Sequence, residues 1–253
     1  MASRHHLATA YQKAGDVQRA IPLYEQVLAD RQRVLGDDHP DTLTSRDSIA
    51  GYLREVGETR AAREADEDAL ARRRRILGPD HPATLTSLNN LGRDLSRLGR
   101  HQAARELDED TLARRRRVHG SDHPWTLITA SNLGFDLRRL GEVEAARDLD
   151  ADTLARRRRV LGDDHAQTLA SALNLASDLR RLGEVEAARD LDADTLARLR
   201  RVLGDDHPRT LTSASNLAVD LERLGDHHAA AALRAEVRNR RSGQSEAAPD
   251  NES

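Results

Sequence analysis

The sequence predicts an all-α solenoid of six stacked helix pairs, and three observations predict it. A nine-residue element recurs as LGDDHPDTL from Leu35, LGPDHPATL from Leu77, HGSDHPWTL from His119, LGDDHAQTL from Leu161 and LGDDHPRTL from Leu203, each 42 residues after the last. A further glycine keeps the same period at Gly15, Gly57, Gly99, Gly141, Gly183 and Gly225, so six units follow one another without insertion or deletion. Finally, 253 residues hold only five aromatic side chains: Tyr11, Tyr24, Tyr52, Trp125 and Phe135. Aromatics supply much of the large-volume packing of a round core. Here Leu and Ala must do it, and both favour helix. A single 42-residue unit cannot bury both its apolar faces, whereas stacked neighbours can.

Each unit reads as two helices. In the fourth, the first helix runs from Trp125 to Leu140 with Leu127, Ala130, Leu133 and Leu137 at helical spacing. Gly141 ends it, since a left-handed C-terminal cap favours glycine. The second helix runs from about Glu142 to Leu161. Its acids (Glu142, Glu144, Asp148, Asp150, Asp152) lie towards the N-terminus and Arg156 to Arg159 at the C-terminus. That order complements the helix dipole and offers i,i+4 pairs such as Asp152 with Arg156. Gly162 breaks the helix and an Asp-His turn restarts the chain. Pro40, Pro82, Pro124 and Pro208 suit a first helical turn, where the missing N–H is not needed, and Ala166 is the exception. Two units share EVEAARDLDADTLAR outright, from Glu142 and Glu184, as a recent duplication would leave them.

The repeats cover residues 1–240, the last unit being truncated. Residues 241–253, ending in SGQSEAAPDNES, are polar and aperiodic and read as a disordered tail. The chain starts inside a first helix with no polar capping helix before it. This points to a piece of a longer protein, or to an end that docks onto something.

Composition excludes several functions. The 40 Lys+Arg and 43 Asp+Glu leave a net charge of −3, with no global pull towards nucleic acid or anionic membrane. Without cysteine there is no disulfide framework, thiolate catalysis or Cys-ligated zinc. No apolar run approaches the roughly 20 residues that span a bilayer. MASRHHLATAYQ has no secretory core, so a cytoplasmic protein is expected. No GxSxG, HExxH, GxxxxGK[ST] or GxGxxG occurs, and neither an enzyme nor a cofactor is expected. The pairs Asp38-His39, Asp80-His81, Asp122-His123, Asp164-His165 and Asp206-His207 occur once per unit, whereas zinc needs three or four converging ligands. They read as turns and N-caps, and no metal is expected. The four-arginine runs from Arg72, Arg114 and Arg156 each follow an acidic stretch. They read as solvated or internally paired faces. RNA-reading repeats need regular stacking side chains, which five scattered aromatics do not supply.

The candidate binding surface comes from the first helices. Asn90, Asn132, Asn174 and Asn216 recur every 42 residues, with His6 and Ser48 at that position in the first two units. An asparagine offers donors and acceptors and can bond any peptide backbone; the alternative is that it caps or packs between helices. Arg97, Arg139, Arg181 and Arg223 follow, with Arg138 and Arg180 beside them. Lining a groove, they favour acidic segments or a free carboxylate. Equally, Asp94 with Arg97 and Asp136 with Arg139, at i,i+3, can satisfy each other. Phe135 falls where neighbouring units have Arg93, Ser177 and Val219. A single exposed Phe in a groove anchors an apolar ligand side chain.

Unit one, LATAYQKAGDVQRAIPLYEQVL, resembles a tetratricopeptide repeat, with Leu7, Ala8, Tyr11, Gly15, Ala20 and Tyr24 at that family's spacing. Later units such as LGPDHPATLTSLNNLGRDLSRLG resemble the 42-residue variant of kinesin light chains, which has bacterial relatives. The Arg-rich, nearly Lys-free composition (Lys13 alone) fits a GC-rich actinobacterial genome. The resemblance implies a right-handed superhelix of antiparallel helix pairs, an open arc. Its inner surface would bind peptides through the recurring asparagines. The chain departs from the family where Asp108, Asp150 and Asp192, then Asp94, Asp136, Asp178 and Asp220, stand at apolar positions, and where Arg72, Arg114, Arg156 and Arg198 stand at aliphatic ones. An unpaired buried charge is costly, so a ladder of Asp–Arg pairs is expected, the alternative being groups that face water.

The leading function is a non-enzymatic scaffold holding an extended or helical segment of a protein partner between units two and six. The alternatives are a regulatory or sensing arm of a larger signalling ATPase or transcription regulator, and a nucleic-acid backbone binder marked by steep salt dependence. Self-association through the N-terminal end is compatible with the first two.

Overall fold

The structure, a computed structural model, describes residues 2–246, with the side chains of 2, 3, 5, 13, 17 and 243–246 outside the described set. Among the described residues twelve helices follow one another: α1 (Ala2–Lys13), α2 (Val17–Leu35), α3 (Pro40–Glu55), α4 (Thr59–Leu77), α5 (Pro82–Arg97), α6 (His101–His119), α7 (Pro124–Leu140), α8 (Val143–Leu161), α9 (Ala166–Arg181), α10 (Val185–Leu203), α11 (Pro208–Arg223) and α12 (His227–Glu246). No strand occurs among the described residues. Consecutive helices pack together from α1 to α6 and from α8 to α12, and the fold is an all-α helix-pair solenoid, as the period predicts. α12 continues into the expected tail as far as Glu246, and residues 247–253 lie outside the described residues.

Two compact units divide the chain, Met1–Asp136 and Leu137–Ser253. In the first, α1 meets α2 through Arg4 with Asp30 and Gln12 with Tyr24, so the partner moves backwards as α1 runs forwards and the pair is antiparallel. Links one repeat apart keep a constant offset. Gln12 bonds Glu55, and the Arg97 guanidinium donates to the Arg54 carbonyl at 3.0 Å, so successive first helices run parallel. In the second unit the Arg223 guanidinium donates to the Arg180 carbonyl at 3.0 Å in the same register.

Local chemistry sets the helix ends. The Asp-His elements are caps: His39, His81, His165 and His207 precede their helices, and each Nδ1 accepts from the backbone N–H two residues on. That satisfies one of the donors a helix start leaves open. The threonine three residues after each of His39, His81, His123 and His207 donates its hydroxyl to the glycine carbonyl that ended the preceding helix. Gly141 takes φ +86°, which L-residues with a side chain rarely adopt.

Small residues let the helices of a pair come close. Ala20, Ala62 and Ala104 in the first unit, and Ala146, Ala188 and Ala230 in the second, recur every 42 residues and are fully buried. Leucines fill the layers between them. Leu70, Leu85, Leu88, Leu91 and Leu95 form one cluster of the first unit with Ala104. Leu196, Leu211, Ala214, Leu217 and Val237 form one of the second. Each such leucine contributes about 1.5–3 kcal/mol by leaving water. Among the described residues no helix is long and apolar enough to cross a membrane.

Candidate functional site

The acids at apolar positions are inside. Asp66, Asp94, Asp108, Asp150, Asp178, Asp192 and Asp220 are fully buried, and Asp136 very nearly so. They stand as pairs, one acid on a second helix and one on the next first helix. In the second repeat Arg54 bridges the pair, its Nη1 lying 2.5 Å from Asp66 Oδ2 and 3.1 Å from Asp94 Oδ2. In the fourth, Arg138 bridges Asp150 and Asp178; in the fifth, Arg180 bridges Asp192 and Asp220. Burial pushes Asp66, Asp150 and Asp192 up to about 7, with the arginine pulling down and the second carboxylate of each pair pushing up.

The ladder therefore exists, but its bridging arginines correct the expectation. Arg138 and Arg180, read as groove residues, are its rungs. The Arg72, Arg114, Arg156 and Arg198 series lies outside it. Arg72 bonds Asp68 and Asp38, Arg114 bonds Asp110 and Asp80, Arg156 bonds Asp152, and Arg198 bonds Asp194 and Asp164. These are half-exposed pairs on the outer helices. The four-arginine runs are split by the helix. In the third repeat Arg114 and Arg117 hold Asp80, while Arg115 turns inward and donates to the carbonyls of Leu85 and Trp125.

The same structural position is filled differently at the two ends of the chain. In the first repeat the tyrosines Tyr24 and Tyr52 replace the acids, ring centroids 6.5 Å apart, and the Tyr24 hydroxyl donates to Gln12 Oε1 at 2.6 Å. In the sixth the signs reverse, with Glu222 bonded to Arg234 at 2.9 Å.

The third repeat is the exception. Ser96 stands where Arg54, Arg138 and Arg180 stand in the others. Its hydroxyl donates to Asp136 Oδ1 at 2.8 Å, and His101 Nδ1 lies 2.7 Å from the same oxygen. Asp136 Oδ2 and both carboxyl oxygens of Asp108 are buried without a hydrogen-bond partner. Burial pushes Asp108 up to about 8, helped by the Asp136 charge and opposed by Arg115. Its carboxyl lies against α5 where Gly92 has no side chain: a Cβ there would be 2.6 Å from Asp108 Oδ1.

A pocket of about 160 Å³ opens at this place, lined by Arg93, Ser96, Arg97, Asn132, Phe135 and Asp136. It brings together three of the predicted binding residues, Arg97, Asn132 and Phe135. Phe135 is 45% exposed and its ring lies 6.0 Å from that of His101. Asn132 is half-buried and donates to Asn89 Oδ1 at 3.2 Å, a buried residue the sequence reading passed over. Asn90, Asn174 and Asn216 are half-buried on the same face of α5, α9 and α11, and their side chains make no hydrogen bond among the described residues. Arg97, Arg139, Arg181 and Arg223 are exposed. Arg97 does not pair with Asp94, which belongs to Arg54. Arg97, Arg181 and Arg223 each donate to the carbonyl one repeat back, at the C-terminal end of a first helix.

The missed residues are Ser96, His101 and Asn89, while Asp108 was read only as a member of the expected ladder. A column-by-column reading of the 42-residue register would have shown Ser96 among arginines.

Among the described residues no three His, Asp or Glu side chains converge to hold a metal ion. A family profile described as tetratricopeptide repeat matches residues 1–75, 49–117, 96–158, 125–192 and 168–241. No relative is found among curated proteins. Among solved structures, the nearly identical TPR-like repeats of a candidate kinesin light chain from Podosopora anserina are 28% identical to the chain. They match with a TM-score of 0.72 over 81% of this chain and 98% of that one. BtubC (BKLC) from P. vanneervenii is 18% identical, with a TM-score of 0.78 over 94% and 95% of the two chains. A Rap protein complexed with Competence and Sporulation Factor is 12% identical, with a TM-score of 0.63 over 96% and 75%.

Proposed function

The chain belongs to the tetratricopeptide-repeat family, and from that premise we propose that it is a non-enzymatic scaffold that holds a segment of a protein partner on its first helices. In the first unit Asn90, Asn132, Arg97 and Phe135 would make the contact; in the second, Arg139, Asn174, Arg181, Asn216 and Arg223. The asparagines bond the partner's backbone, the arginines favour acidic side chains, and Phe135 anchors an apolar one. The observation that carries this reading is the pocket at the start of this surface, which is lined together by Arg97, Asn132 and Phe135. The structural likeness to the Rap protein, whose solved form is a complex with a factor, supports the same reading. A nucleic-acid role is disfavoured because the arginines of the outer helices are committed to neighbouring carboxylates.

The test is an affinity capture from the source organism's lysate, wild type beside Asn132→Ala combined with Asn174→Ala. Both positions are half-buried at the surface, so the double variant should fold. Proteins held by wild type and lost by the variant support the first-helix site. Retention of the same proteins by both moves the site to the outer helices or the N-terminal end.

A further inference from the structure

We infer that the third repeat carries a socket for a cationic side chain of the partner, a guanidinium above all, seated over Asp136 and Asp108 where Ser96 leaves the acid pair without its arginine. The inference rests on the scaffold reading for its ligand, and on the repeat register for its chemistry.

Repeats two, four and five show what this position binds. Each places two buried carboxylates around one guanidinium, from Arg54, Arg138 and Arg180. The first repeat answers with two tyrosines and a glutamine, and the sixth with a reversed Glu–Arg pair. Only the third, among the described repeats, keeps both acids and gives up the base. Asp136 lines the pocket, is 1% exposed and has Oδ2 without a partner. Ser96, which lines it too, is short enough to leave open the course an arginine takes from the same position on its helix.

Guanidinium fits better than ammonium. A planar fork reaches two carboxylates with different nitrogens, as Arg138 does with Nε on Asp178 and Nη2 on Asp150, whereas ammonium is a point charge with a tighter hydration shell. Phe135, exposed at the rim, offers a ring face to the cation. Arg93 and Arg97 also line the pocket and weaken, without abolishing, the binding of a cation that brings no acid of its own. Selectivity follows: a basic residue enters with profit when its own segment carries acids for those two arginines. The socket thus selects a mixed-charge segment over a simply acidic one.

Proton linkage accompanies binding. The groups acting on Asp108 are Asp136 from α7 and Arg115 from α6, with Gly92 of α5 against its carboxyl; Ser96 and His101 contact Asp136, and Arg93 and Arg97 stand at the rim. A cation draws Asp108 into its charged form, so affinity rises with pH through neutrality.

The test uses the full chain and N-ethylguanidinium, a truncated arginine side chain, against its neutral isostere N-ethylurea and against ethylammonium, followed by amide NMR shifts near pH 7.5. The expected result is saturable shifts at Ser96, Phe135 and Asp136, with N-ethylguanidinium bound about 10-fold or more tightly than N-ethylurea, and more tightly at about pH 8 than at about pH 6. Ser96→Arg, which fills the socket from within, should abolish binding and raise the unfolding midpoint. Asp108→Asn, nearly isosteric, should stay folded and weaken binding about fivefold, so the result does not depend on Ser96→Arg folding. Asn174→Ala with Asn216→Ala, in the other unit, should leave probe binding unchanged; the scaffold reading can then fail while the socket stands. Equal binding of the urea, preference for ethylammonium, or undiminished binding to Asp108→Asn overturns the inference.

Discussion

Asp108→Asn should stabilise this protein, and only where the pH would ionise the aspartate. Asp108 is fully buried, and neither of its carboxyl oxygens has a hydrogen-bond partner. Burial raises it from the ordinary 3.8 to about 8. In the unfolded chain it ionises near the ordinary value, so between the two values the folded state holds a proton that the unfolded state has released. Stability is therefore full below about pH 4, falls as pH rises, and stays reduced above about pH 8. Between the ordinary 3.8 and neutrality lie about three pH units, at about 1.4 kcal/mol each. The ceiling at pH 7 is thus about 4 kcal/mol. Local opening that hydrates the acid brings the expected gain to about 2 kcal/mol. Asparagine keeps the shape and cannot ionise. Urea unfolding of wild type and variant at about pH 4 and about pH 7.5 reads the effect, as a midpoint raised at the higher pH and unchanged at the lower. An equal gain at both pH values, or a loss at pH 7.5, would falsify the picture of Asp108 as an acid buried without its counter-ion.

Two further substitutions separate buried from exposed charge. Arg138→Ala removes the group that bridges Asp150 and Asp178 and should cost about 3–5 kcal/mol, more at pH 8 than at pH 5, because two buried carboxylates are left without a base; a loss under about 1 kcal/mol in urea unfolding would mean that water reaches the pair. Arg198→Ala breaks the half-exposed pairs with Asp194 and Asp164 and should cost below about 1 kcal/mol, shrinking further in about 0.5 M salt; a large, salt-insensitive loss would show that the outer pairs hold the repeats together.

The contrast between these arginines marks where sequence reasoning failed. Asp152 with Arg156 is an i,i+4 pair on one helix, and it forms as read. The same habit of looking nearby assigned the Arg72 series to the buried acids. Their true partner Arg138 is 12 residues from Asp150 and 40 from Asp178, on neighbouring helices. Which face of a first helix turns inward decides that choice. Asp94 was likewise offered Arg97, three residues on, while Arg54, one repeat back, holds it. Helical spacing alone ranks neither partner above the other.

By itself the sequence determined the helix-pair solenoid, its 42-residue period, the helix ends within the repeats, though not the end of α12, and its histidine caps. All of these follow from chain-local physics: glycine's positive φ, a side-chain nitrogen facing the N–H two residues on, and apolar residues repeating at the helical period. Only the tertiary structure decided which charges are buried, which arginine joins which acids, and that Arg97, Asn132 and Phe135 share a pocket with Ser96 and Asp136. Those facts depend on side chains from three helices meeting in water-excluded space, where a charge's partner is set by packing rather than by distance along the chain. Serine at position 96 was legible as a letter; what it leaves unpaired became visible only beside Asp108 and Asp136.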